Sequence, residues 1–163
     1  MNQQLVLTFF LLSGIFETET DNFVCSHGYK RGSLIPICGK VFEEKDLDGK
    51  TIFLREDAAN AFLQMKQSAL SDGVDLRINY AFRTNGQQKA VKRRNRKLAA
   101  KTGYSPHQQG IAVDIAGTVI YKKRKKLKTT ISEWLEINAE KFGFIKTIKH
   151  EPWHYEFIST EGI

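Results

Sequence analysis

Two histidines and one aspartate constrain this chain more than any other feature. His107 lies in "TGYSPHQQG", Asp114 follows it in "GIAVDIAG", and His154 comes far downstream in "HEPWHYEF". If the three side chains serve one ion, a mid-chain turn and strand must be brought against a strand built much later in the chain. A hydrolytic zinc centre asks for this donor set: three protein ligands, nitrogen or carboxylate oxygen at about 2 Å, and a fourth position left for water.

Local pattern agrees with that demand. Ile111, Val113 and Ile115 alternate toward a core, so strand parity leaves Asp114 on the opposite face. Gly110 lets the chain bend close behind the site. A base is also needed beside the water, and Glu151, three residues before His154, is the candidate. A regular strand would point those two apart, so Pro152 is expected to hold Glu151 in the preceding turn, overhanging the metal without binding it.

The surrounding segments read as mixed helices and strands. Residues 57–70 carry Ala58, Phe62, Met65 and Ala69 at helical spacing, with Asp57 as a cap and "SDG" as the stop. "DLRINYAF" predicts a half-buried strand with Leu76, Ile78, Tyr80 and Phe82 on one face and Arg83 at its end. Residues 86–101 predict a strongly basic helix ended by Gly103, "YKKRKKLK" a solvated basic loop or ribbon, and "ISEWLEINAEKFGF" a helix stopped by Gly143. A last strand is expected in "PWHYEFI". With 163 residues, 41% of them hydrophobic, the chain is long enough for one domain with a buried core, assigned to residues 21–163.

Taken in order, the site residues spell S-x-H-x-x-G-x-A-x-D followed by E-x-W-H. That double motif resembles the VanY-type D-alanyl-D-alanine carboxypeptidases, zinc metallopeptidases sharing the lysostaphin and hedgehog fold. The resemblance runs from about Asp75 to Ile158. It includes "YAFRTNGQQ", similar to the family's Y-R-[ST] strand end with a glutamine five residues on, and "WLEINAEKFGF", similar to its helix before the last hairpin. It implies a single α+β domain with a central antiparallel sheet flanked by helices, and one zinc ion held by His107, Asp114 and His154. Glu151 would be the catalytic base, Arg83 would hold a substrate carboxylate or the developing oxyanion, and Gln88 and Ser105 would add polar substrate contacts. The implied reaction is removal of terminal D-alanine from peptidoglycan stem peptides. A peptidoglycan endopeptidase cutting within the stem or cross-link, and a non-catalytic zinc-containing binding module, are the alternatives.

Two positions depart from the family pattern. Only "KTIKH" separates "GFI" from "EPWH", where relatives commonly insert a longer hairpin that walls the cleft, so a more open cleft is expected. Glu156 stands where many relatives have arginine. Trp134 and Trp153 are expected to pack rather than stack on substrate, and His27 and His150 to have no metal role.

Charge and cysteines bear on location and partners. With 25 basic and 18 acidic side chains the chain carries +7, which favours polyanions: an anionic cell wall, anionic lipid or nucleic acid. The basic runs "KRRNRK" and "KKRKKLK" lack interleaved aromatic platforms, which weighs against nucleic acid. Residues 5–16 form an uncharged apolar run too short to span a bilayer but suited to a signal-peptide core, although no lysine or arginine precedes it. Residues 1–20 are therefore expected to be a signal peptide, or else an N-terminal segment packed on the domain. Cys25 and Cys38 bracket "SHGYKRGSLIPI", read as a loop. A disulfide closing it would contribute about 3 kcal/mol in the loop-entropy model and would fit export to the periplasm, cell wall or exterior. Reduced thiols in a cytosolic chain are the alternative.

Overall fold

A computed structural model describes residues 23–31, 33–46, 49–122 and 125–158. The leader expected over residues 1–20 lies outside the described residues. Strands β1 (Phe23–Lys30) and β2 (Ser33–Lys45) form a hairpin, and β3 (Thr51–Arg55) adds to β2, giving an antiparallel sheet in the order β1-β2-β3. The segment between the cysteines is thus a hairpin rather than a loop. Cys25 and Cys38 stand opposite each other on its two strands and are joined by a disulfide. Pro36 does not prevent this, because β2 has a second neighbour only from Gly39 onward. Gly39 itself is required by a close approach: a Cβ there would fall 1.8 Å from the Leu54 carbonyl oxygen.

Helix α1 (Glu56–Ser71) follows, burying Ala58, Phe62, Met65 and Ala69 as the periodicity predicts. Phe62 meets Phe42 and Phe144 edge-on, at 5.9 and 6.1 Å between ring centroids, and so ties the first sheet to the second. Then come β4 (Ile78–Tyr80), α2 (Asn85–Arg94), β5 (Ala112–Ile115), the ribbon β6 (Val119–Lys122) and β7 (Lys125–Lys128), α3 (Thr130–Asn138), β8 (Phe144–Ile145) and β9 (His154–Phe157). The second sheet has the order β4-β5-β9-β8 with every pair antiparallel. This is the α+β arrangement expected, with helices against an antiparallel sheet. Hydrogen bonds from Phe82 N to Phe53 O and from Arg55 N to Gly110 O join the two sheets.

Several elements differ from expectation: Arg55 rather than Asp57 stands at the N-cap of α1, with Asp57 in its first turn, and the helix expected across "ISEWLEINAEKFGF" passes after Asn138 into a 3-10 turn, Ala139–Phe142, that Gly143 closes. The strand predicted across "DLRINYAF" is confined to Ile78–Tyr80, and its face changes partway: Leu76 and Ile78 are buried, but Tyr80 is exposed and Ala81 is buried. The register shifts between Ile78 and Tyr80, and one extra residue exchanges the two faces of a strand. The basic helix expected to reach residue 101 ends at Arg94. Its start is secured by a capping box of Thr84 and Gln87. At its end the side chain of Asn95 accepts from Leu98 N, while Lys92 Nζ donates to the carbonyls of Arg96 and Ala99. These side-chain bonds offer the backbone an alternative to further helical turns, and the chain folds back instead.

The Phe62 junction predicts a large cost on truncation. Phe62→Ala should destabilise the protein by about 3–5 kcal/mol, read from urea unfolding midpoints. A loss near that of an exposed residue would show that α1 does not hold the sheets together.

Candidate metal centre and cleft

The site is built on adjacent strands. Asp114 on β5 pairs directly opposite His154 on β9, so strand alternation sends both side chains to the same face while Val113, Ile115, Tyr155 and Phe157 enter the core. His107 is supplied by a short 3-10 turn, Pro106–Gln109, closed by Gly110 in the left-handed conformation at φ 70°. The turn is fastened to the end of β4: Arg83 N donates to His107 O at 3.0 Å, and His107 Nδ1 lies 2.7 Å from Ala81 O.

Those partners settle which nitrogens face inward. A carbonyl can only accept, so His107 Nδ1 carries a hydrogen there, and Nε2, 3.5 Å from Asp114 Oδ1, is the nitrogen left to meet a metal. His154 Nδ1 lies 2.9 Å from the same oxygen. All three residues are buried, and one donor atom from each lies within 4.8 Å of the others. With metal–ligand bonds of about 2.0–2.1 Å, the donors of a tetrahedral zinc site stand about 3.3 Å apart. The two spacings to Asp114 bracket that value, and two imidazoles with one carboxylate are a donor set suited to zinc with a position left open.

Glu151 sits in the turn before β9, as Pro152 led us to expect: its N–H donates to Ile148 O, and its carbonyl accepts from His154 N, each at 3.1 Å. Glu151, Arg83, Gln88 and Ser105 line one cleft of about 270 Å³ together with His107, Asp114 and His154. Gln88 is fully buried and engaged at both ends of its amide. Oε1 accepts from Arg83 Nη1 at 2.9 Å, and Nε2 donates to Ala100 O at 2.8 Å. It therefore holds the guanidinium in place and anchors the folded-back segment after α2, whose Leu98 and Ala99 form a lip of the cleft. Ser105 is buried just before the His107 turn, and its side chain makes no cap to that turn.

Trp153 lines the cleft as well and is braced from behind. Lys126 Nζ lies 4.9 Å from the centre of its ring and donates to His150 O at 2.9 Å, so the basic ribbon leans on the turn that carries Glu151. Trp134 packs in the core and donates to Asp72 Oδ2 at 2.7 Å. Among the described residues the group that could hold a metal ion is His107, Asp114 and His154. One residue was missed as a participant: Glu156 Oε1 lies 3.1 Å from His154 Nε2 and accepts from Thr147 Oγ1 at 2.6 Å. Its position two residues beyond His154 on the same strand was the available signal.

The charges follow from these contacts. Burial opposes ionisation of Asp114, yet hydrogen bonds from His107 and His154 hold its carboxyl well below the usual carboxylate range. Burial likewise opposes a charged His154, but bonds to Asp114 and Glu156 outweigh it and push the imidazole up to about 9. Burial lowers the Arg83 guanidinium from its ordinary value, opposed by the Asp114 and Glu151 carboxylates.

Residues 51–160 match the family VanY, D-alanyl-D-alanine carboxypeptidase. The chain belongs to the VanY family. Its relatives include a D-alanyl-D-alanine carboxypeptidase of Enterococcus faecium, 29% identical over 119 residues, a match covering 66% of this chain and 38% of that protein. The chain thus spans well under half the length of that curated relative. Among solved structures, the LD-carboxypeptidase LdcB superposes with a TM-score of 0.56 at 26% identity, covering 74% of this chain and 64% of the other. A vancomycin-resistance D,D-pentapeptidase VanY in complex with Zn(II) gives 0.53 at 21% identity, covering 74% and 79%. The VanY fold therefore extends over the elements that carry the cleft.

A pH dependence follows for the metal-free protein. His154 has its pKa raised from 6.5 to about 9, so its contribution to stability is complete below about pH 6.5 and is lost as pH rises through 9. The urea midpoint of chelator-treated protein should fall across that interval. A flat profile would contradict the Asp114–His154–Glu156 arrangement.

Proposed function

We propose that this VanY-family protein is a zinc-dependent D,D-carboxypeptidase that removes terminal D-alanine from peptidoglycan stem peptides. The observation that carries the reading is the meeting of His107, Asp114 and His154 with Glu151 and Arg83 around one cleft. His107 through Nε2, Asp114 through its carboxylate and His154 through Nδ1 would hold the ion. Zinc bound there supplies Lewis acidity to water and to a peptide carbonyl.

The chain's own groups account for the remaining chemistry. Glu151, held in its turn beside the ligands but not among them, takes a proton from the attacking water as the new C–O bond forms. The same carboxyl returns that proton to the departing D-alanine amine as the C–N bond breaks. Arg83 carries a planar charge suited to the terminal carboxylate of a stem peptide or to the oxyanion that develops during attack. Gln88 keeps that guanidinium in place, and Ser105 lies within the same cleft for a polar contact.

We further propose that the protein acts outside the cytoplasm, on wall peptides in an anionic environment matched to its net charge. The Cys25–Cys38 disulfide supports this, since such bonds persist in oxidising compartments. Among the described residues no helix is long and apolar enough to cross a membrane.

Incubating the zinc-loaded protein with a pentapeptide muropeptide should yield tetrapeptide and free D-alanine by mass spectrometry. Cleavage within the stem or cross-link, without free D-alanine, would replace this reading with an endopeptidase. Glu151→Ala should retain zinc while lowering kcat by about 10²–10⁴. Unchanged turnover in that variant would remove Glu151 from the mechanism.

A further inference from the structure

The two departures from the family pattern, the short connector after β8 and the acid at position 156, meet in space. On β9, His154 and Glu156 share a face, and Glu156 pairs across to Ala112 on β5. Glu156 Oε1 receives two groups: the His154 ring through Nε2 at 3.1 Å, and Thr147 Oγ1 from the connector at 2.6 Å. The opposite ring nitrogen, Nδ1, is the one that faces Asp114.

A neutral imidazole has one bare nitrogen and one N–H, and the partner of the N–H decides which nitrogen is bare. His107 solves this with the Ala81 carbonyl. His154 lies on a strand whose backbone groups are committed to β5 and β8, and its outward nitrogen meets a side chain instead. An arginine at position 156 could not fill this role, because it offers no acceptor.

We propose that Glu156, held by Thr147, is a positioning residue that fixes the His154 ring with its hydrogen on Nε2 and Nδ1 toward the metal. The proposal rests on the reading of His107, Asp114 and His154 as the zinc ligands. Glu156 touches neither ion nor substrate in this role and acts through His154. Thr147 links the length of the connector to the quality of the metal site, so a change in either residue is felt at the same ring.

The test is equilibrium zinc affinity at fixed pH, by competition with a chromophoric chelator, for the unaltered chain, E156A, E156Q, T147V and E156A/T147V. Nitrogen-15 shifts of the His154 ring in the zinc-loaded proteins provide a second readout. E156A should lose about 10–100-fold in affinity, as removal of a partner behind a ligating histidine does. E156Q keeps an acceptor oxygen and should lose less, with the hydrogen still on Nε2. T147V should weaken binding in the unaltered chain and cost nothing further in E156A, because residues that act as a unit are not additive. Affinity of E156A within about twofold of the unaltered chain, or an equal T147V cost in both backgrounds, would overturn the proposal. Should E156A fail to fold, the T147V affinity and the E156Q ring shifts decide the matter. An unaltered chain that binds no zinc would instead overturn the zinc reading beneath it.

Discussion

The cross-strand pair of Asp114 and His154 is the interaction on which the rest of the site depends. Both side chains reach the cleft because β5 and β9 are adjacent and in this register. A slip of one residue would turn either side chain into the core and bring an apolar neighbour to the site. The Phe62 contacts and the burial of Tyr155 and Phe157 hold that register from the other side of the sheet, so the core and the metal centre stabilise one another.

The third donor depends on a fault in a strand. Had β4 continued its alternation, Ala81 would have lain on the exposed face, but the shift between Ile78 and Tyr80 buries it and leaves its carbonyl to receive His107 Nδ1. Bulges commonly sit beside active sites because they aim groups that a regular strand cannot. Here the carbonyl of Ala81 and the N–H of Arg83 together fasten the His107 turn, so ligand and guanidinium are positioned by one stretch of backbone.

The basic segments have a structural part that their charge alone conceals. Lys92 holds the segment after α2 through two carbonyls, and Lys126 braces Trp153 and the carbonyl of His150. Lys92 and Lys126 thus help frame the cleft, one by the segment that carries Leu98 and Ala99, the other by the turn that carries Glu151. A buried donor set that is complementary in charge even without metal also avoids the penalty of isolated buried polar groups. The exchange of that arrangement for a bound ion couples metal binding to proton release.

Much of the site was legible in the residues themselves. Parity placed Asp114 on the face away from Ile111, Val113 and Ile115, Pro152 placed Glu151 in a turn, and the spacing of Phe62, Met65 and Ala69 marked α1. These are properties of adjacent residues, governed by strand and helix periods. What only the tertiary structure decided were partners reached across the chain: the Gln88 amide spent on Arg83 and Ala100, the exchange of faces after Ile78, the end of α2 at Arg94, and Glu156 behind His154. Each depends on register and on distances between segments remote in sequence, and a hydrogen bond requires its two atoms to meet within a few tenths of an ångström.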